Sequence, residues 1–223
     1  MIETYANAHA LAEAAAHGVA MQLEAGLRTG PRAALVATGG RSPGMTYDRL
    51  SATCLLDWTR VIVTLSDERC VAADAPDSNA RLVRERLLKG EAAKAHLLPL
   101  WPRPQPTALR GLTPFDAVML GMGQDGHVAS LIPGDPALIR TLDPRAEALI
   151  ADVPEGLGSP PVARVTLTLS ALLASRAIFL LVAGGAKREV VDRALSGEAL
   201  PVRSLLAQET VPVRVLWCPS FER

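Results

Sequence analysis

The sequence predicts an α/β fold: a mainly parallel, Rossmann-like three-layer α/β/α sheet with a small additional lobe. Three observations predict it. Short, nearly continuous apolar runs rich in Val, Ile and Leu recur along the chain, as strands buried on both faces require. Amphipathic segments alternate with those runs, the order expected of strand–helix–strand units. The glycine-rich and charged stretches follow the apolar runs directly, and in open α/β sheets ligands bind beyond the carboxyl ends of the strands.

Taken in order, an alanine-rich helix is expected near residues 4–28, followed by the strand "AALVAT" and the turn "GGRSPG". There Ser42 is placed to cap a helix and Pro43 to occupy its first position. "RVIVTL" is the next strand and "SDERCVAADAPDSN" a long polar loop. Asp77 or Ser78 is expected to cap the helix "NARLVRERLLKG", which Gly90 ends. The proline-rich "PLWPRPQPTALRGLTP" reads as a surface connection before the strand "FDAVMLG". After a glycine loop come "EALIADV", "RVTLTL", "AIFLLVAGG", the helix "AKREVVDRALSG" and a last strand in "VPVRVLW". The small lobe, antiparallel, is expected around residues 145–170, within one domain covering 1–223.

Composition excludes several classes of function. The 23 basic and 23 acidic side chains cancel, and no basic stripe stands out, which argues against a nucleic-acid binder. Three cysteines without C-x-x-C spacing argue against a disulfide framework or a zinc site and suit a reducing cytoplasm. The first residues carry acids early and lack a basic segment before an apolar core, so they read as helix and not as a secretory signal. No apolar run is long enough to span a bilayer. The expected protein is cytoplasmic, a monomer or homodimer, with no membrane or nucleic-acid partner.

Four polar loops gather at the predicted sheet edge. "GMGQDGH" contains G-x-G-x-x-G after a strand, which taken literally is a dinucleotide fingerprint. Asp152 even stands near the offset of a ribose contact. Yet the fingerprint should open a long helix, and "HVASLIPGDP" reaches Pro133, Gly134 and Pro136 within about two turns. The other reading is that the glycines shape a loop around His127. Gly126 permits a sharp turn, and Asp125 is close enough to fix a tautomer or to grip a substrate hydroxyl. Such an imidazole suits general-base work, although a histidine at a helix start also simply packs.

The remaining loops point to an anion. "GGRSP", with Gly39, Gly40 and Arg41, offers backbone N–H groups ahead of a helix, though an ordinary strand-to-helix turn looks the same. In "GGAKR" the basic Lys187 and Arg188 begin a helix, where they oppose its dipole unless an anion joins them. Asp67, Glu68 and Arg69 follow a buried strand; they read as a solvated cluster or as part of a site. Together the loops suggest a phosphorylated small molecule handled by a histidine.

The stretches "TGGRSP", "DERCVAADAPDSNARLVRERLL", "FDAVMLGMGQDGHVASLIPG", "RVTLTLSALLASRAIFLLVAGGAKREVVDRAL" and "LPVRSLL" resemble, in order, those of the 6-phosphogluconolactonase family. The most specific are the D-E-R loop with its later S-N, and G-M-G-x-D-G-H-x-A-S-L-x-P-G. Glucosamine-6-phosphate deaminases of the related fold carry D-E-Y and G-x-D-G-H-I-A-F-N-E-P instead. Arg69 and "HVASLIPG" side with the lactonases, and Ile132 stands where the deaminase pattern has a glutamate. The chain departs from the lactonase pattern at Arg41, where a small hydroxyl residue is usual, and at Ala72, where proline is. The resemblance implies hydrolysis of a sugar phosphate lactone without metal or organic cofactor. It implies His127 as base and Asp125 as its partner or a hydroxyl ligand. Arg69, Lys187 and Arg41 would hold phosphate, Gly39, Gly40, Asp67, Glu68 and Asn79 would bind substrate, and amides of "GGR" or another loop donor would steady an oxyanion.

Overall fold

The computed structural model describes residues 2–53 and 56–220, so the reading of Cys54 lies outside the described residues. A strand β1 (Ile2–Thr4) opens the chain, ahead of the long helix α1 (Ala8–Thr29). It was not expected from sequence, because three residues carry too little periodicity to declare a strand. Ion pairing holds it in place: Glu3 takes both Arg214 Nε and Nη2 at 2.6 Å. The helix itself starts at Ala8, not residue 4, with the Asn7 side chain accepting from the Ala10 N–H.

The sequence then runs β2 (Ala33–Ala37), α2 (Gly44–Ser51), β3 (Val61–Leu65), β4 (Asp67–Arg69), α3 (Asn79–Arg86), β5 (His96–Leu97), α4 (Pro106–Arg110) and β6 (Ala117–Gly121). After it come α5 (Leu138–Thr141), β7 (Ile150–Val153), β8 (Arg164–Leu167), α6 (Leu169–Leu173), β9 (Ile178–Ala183), α7 (Gly185–Leu195), α8 (Pro201–Leu206) and β10 (Val213–Cys218). Seven strands form a parallel sheet in the order β1-β10-β9-β6-β2-β3-β5. Three more, β4-β8-β7, form an antiparallel sheet, the small lobe. That lobe recruits Asp67–Arg69, expected from sequence to lie in a loop. A three-residue strand is declared by its partner β8, almost a hundred positions away, and not by its own pattern.

The central strands are buried along their length, as their composition requires: all five residues of β2, and Leu180, Leu181 and Val182 of β9, lie in the core. Helix α1 covers one face with Leu11, Ala15, Val19 and Leu23, spaced by one helical turn. Each such leucine, taken fully out of water, contributes roughly 1.5–3 kcal/mol. Among the described residues no helix is long and apolar enough to cross a membrane.

Two helix-end expectations need correction. Helix α2 begins at Gly44, with Pro43 itself at the cap and no side-chain bond from Ser42. Helix α3 ends at Arg86, before Gly90, which adopts φ 52° and opens a short 3₁₀ turn instead. Of the two candidate caps for α3, Ser78 serves, accepting from the Arg81 N–H at 3.2 Å.

Strand order locates the site. From β2 the sheet grows outward through β3 and β5, then returns to β6 on the other side of β2 and continues through β9 and β10. The order in which strands are added reverses between β2 and β6, which run parallel. At that switch point the loops leaving neighbouring strands diverge and open a crevice. The loops there are Thr38–Ser42 after β2 and Gly121–His127 after β6, with Gly184–Lys187 after β9 beside them.

Candidate active site

The crevice is a cleft of about 710 Å³ lined by these three loops and by Asp67, Arg69, Asn79 and Arg164 from the small sheet side. Its floor is glycine where a ligand would approach. A Cβ on Gly40, Gly121, Gly184 or Gly185 would meet nothing within 4 Å, so the missing side chains leave open space along the cleft. Gly40 and Gly184 also hold φ 91° and 90°, which glycine adopts without strain.

The loop after β6 closes on itself. The Gly123 N–H donates to the His127 carbonyl at 2.9 Å, and Met122 and Val128 form an antiparallel bridge. No helix starts at His127; the segment turns tightly, with Ala129 forced to φ 51°. His127 Nδ1 lies 2.6 Å from Asp125 Oδ1. A carboxylate at that distance demands a proton on Nδ1, leaving Nε2 free to accept one. The hydrogen bond from His127 holds the Asp125 carboxyl below its ordinary range, against the opposing effect of burial. The pair packs on Gly123, where a Cβ would sit 2.3 Å from the imidazole and 2.5 Å from Asp125 Oδ1. Gly123→Ala is therefore expected to displace the pair and lower turnover by about 10²-fold, the usual cost of misplacing a reacting group by an ångström. Steady-state kinetics on a variant with unchanged circular dichroism would check this.

The loop after β2 is fixed from below. Tyr47, fully buried on α2, accepts from the Thr38 N–H at 2.7 Å and donates to the Thr38 carbonyl at 2.6 Å. Burial pushes its phenol well above the ordinary value, so it serves as a neutral clamp. Gly39 gives space for Asn79, whose Oδ1 would lie 1.9 Å from a Cβ there. In turn Asn79 donates to the Asp67 carbonyl at 2.8 Å and accepts from Arg69 Nη1 at 2.6 Å.

Lys187 stands in the first turn of α7, half-buried at the cleft. Burial, and then the Arg41 charge, push its ammonium below the ordinary lysine value, with Asp125 opposing. Among the described residues no hydrogen bond or ion pair holds it. Helix α7 has no side-chain cap. A free ammonium, an uncapped helix start and Arg41 form one positive pole.

Several expected site residues are placed as follows. Glu68 does not line the cleft: it is buried and accepts from the Asn79 and Ala80 N–H groups, both at 2.7 Å, so it anchors the start of α3. Arg188 bonds Asp192 and lies over the Trp217 ring, away from the anion pole. Arg69 and Lys187, expected to share one phosphate clamp, both line the cleft but from different elements, β4 and the first turn of α7. Arg41 and Asp125 act on Lys187, whereas Arg69 acts on Arg164. Asp152 pairs with Arg103 on the small sheet, in a role unrelated to any ribose. Sequence reasoning passed over Arg164, Ser130 and Tyr47. Only the arginine left a trace, as a lone charge opening the run "RVTLTL".

Comparison with known proteins follows the same line. The family described as glucosamine-6-phosphate isomerases/6-phosphogluconolactonase matches residues 6–217. The chain belongs to this family. It is 40% identical to a 6-phosphogluconolactonase of Caulobacter vibrioides over 97% of its own length and 96% of that protein. It is 37% identical to one from Rhizobium meliloti, covering 96% and 97% of the two chains. Among solved structures, a 6-phosphogluconolactonase from Shewanella baltica superimposes with a TM-score of 0.88 at 36% identity, covering 98% of this chain and 97% of that one. As a member of the family the chain sits with its lactonases, and the G-x-G-x-x-G of the loop after β6 frames the His127–Asp125 pair.

Proposed function

We propose that the protein hydrolyses 6-phospho-D-glucono-1,5-lactone to 6-phospho-D-gluconate, the lactone-opening step of the oxidative pentose phosphate pathway, with His127 as general base. The observation that carries the reading is the His127–Asp125 contact of 2.6 Å, in a cleft at the switch point, beside a positive pole. The lactone is already an electrophile, so the reaction needs a placed water, a base and stabilisation of the carbonyl oxygen. Water attacks C1 as its proton passes to His127 Nε2, and the ionised Asp125 steadies the imidazolium. The tetrahedral intermediate collapses by breaking the bond from C1 to the ring oxygen. That oxygen takes the proton back from His127, and the new carboxylic acid releases one to solvent.

Lys187 and Arg41, with the backbone N–H groups at the start of α7, hold the phosphate and thereby place C1 at the base. Asn79 and Asp67, tied to each other, face the sugar hydroxyls.

The rival within the family is deamination of an amino sugar phosphate. It moves a proton between adjacent carbons and expels ammonia, and so requires a second acid–base group near the histidine. Position 132, where the deaminase pattern places a glutamate, is a buried isoleucine, 3% exposed. Ammonia release from glucosamine 6-phosphate is expected to be absent in a coupled assay that follows fast lactone opening by the same preparation. Ammonia turnover comparable with lactone hydrolysis would overturn the lactonase reading.

A further inference from the structure

Arg69 and Arg164 stand directly opposite one another in the antiparallel ladder of β4 and β8. Like charges in that position repel, yet both residues border the cleft. Arg164 is 3% exposed. Its Nη2 donates to the Pro160 carbonyl at 2.8 Å, and its Nη1 lies 3.5 Å from Ser130 Oγ and 3.9 Å from Asp67. Arg69 Nη1 donates to the Asp77 carbonyl at 2.8 Å and to Asn79 at 2.6 Å. On both guanidiniums Nε is buried without a hydrogen-bond partner among the described residues.

Among the described residues Asp67 is the one carboxylate within ion-pair distance of either guanidinium, and Asp77 acts on Arg164 from farther off. Ser130 donates to the Asp67 carboxylate at 2.6 Å from the Arg164 side, and Asn79, which accepts from Arg69, donates to the same carboxylate at 3.4 Å. Glu68 is turned to the α3 N-terminus. The chain has thus built a desolvated corner in which two neighbouring guanidiniums keep unspent Nε donors. An anion from the cleft would supply the acceptor they lack.

A phosphate already has its pole at Lys187, Arg41 and the α7 N-terminus. The proposed substrate presents a second site of negative charge only at C1, first as the carbonyl oxygen gains charge and then as the product carboxylate. A planar carboxylate also matches guanidinium donors better than it matches an ammonium. We propose that Arg164, together with Arg69, forms a second anion pole that takes the C1 oxygen atoms of the substrate and product. This assignment rests on the lactonase reading. It moves Arg69 from phosphate to C1, and it replaces the loop amides of "GGR" as the expected stabiliser of the oxyanion.

Two ligands separate the assignment from its alternatives. 6-Phosphogluconate and glucitol 6-phosphate share the phosphate and the hydroxyl chain, but the second has a CH₂OH group in place of the carboxylate. Calorimetry should show wild-type protein preferring 6-phosphogluconate by roughly 10–100-fold, the value of a charge-assisted contact. In Arg164→Gln that preference should fall towards unity while glucitol 6-phosphate binds nearly as before. In Lys187→Ala both ligands should weaken together. Arg69→Gln, at a less buried position, should repeat the Arg164 result and decides the matter if Arg164→Gln does not fold. Equal weakening of both ligands in these arginine variants would assign the pair to phosphate, and an unchanged preference would make it purely structural; either overturns the proposal. If wild-type protein opened no lactone but the arginine variants still erased the preference, the reaction would be wrong and the pole would stand.

Discussion

His127→Ala is expected to lower kcat for lactone opening by about 10²–10⁴-fold, the range supplied by a positioned general base. The loss should appear in kcat more than in KM, because the proposed phosphate contacts, Lys187 and Arg41, lie on the loops after β9 and β2 and not on the histidine loop. The fold should survive. His127 is 27% exposed at its side chain, its hydrogen bonds stay within residues 123–127, and its removal leaves no large buried cavity. Asp125 should remain ionised in the variant, although its carboxyl loses the hydrogen bond that now holds it low. Purified, folded His127→Ala turning over at the wild-type rate would remove the base from the mechanism.

The second large effect is expected at Lys187. Losing one charge-assisted contact to phosphate costs roughly 1.5–3 kcal/mol, so Lys187→Ala should lower kcat/KM by about ten- to a hundredfold. The loss should largely vanish with unphosphorylated gluconolactone, which lacks the group being held. The same residue is expected to set an alkaline limit. Burial and Arg41 hold its ammonium below the ordinary lysine value, so in the free protein the charge is lost at lower pH than for a solvated lysine. Binding of 6-phosphogluconate should weaken as pH rises through that range, and binding isotherms across it would check this. Equal losses on phosphorylated and unphosphorylated lactones would assign Lys187 to the carbonyl or to folding instead.

The parts of this molecule legible from sequence are those whose cause is local. Continuous apolar runs marked β2, β3, β6 and β9, because a strand buried on both faces must be apolar throughout. The pairing of Asp125 with His127 was legible because a single residue separates them and Gly123 and Gly126 leave the chain few ways to turn. What escaped depends on distant partners. Glu68 looked like part of a polar surface loop, yet its carboxylate anchors the start of α3, more than ten residues on. Arg164 looked like the polar edge of an apolar run, and only the β4–β8 register sets it beside Arg69. The Tyr47 phenol under Thr38 follows from how α2 lies against the sheet, which no residue pattern states.

The most direct test of the account is acid release in a pH-stat from freshly generated 6-phosphogluconolactone, set against the spontaneous rate. The account predicts release far above background with wild-type protein, falling towards background in His127→Ala. Wild-type release no faster than the spontaneous reaction would contradict it.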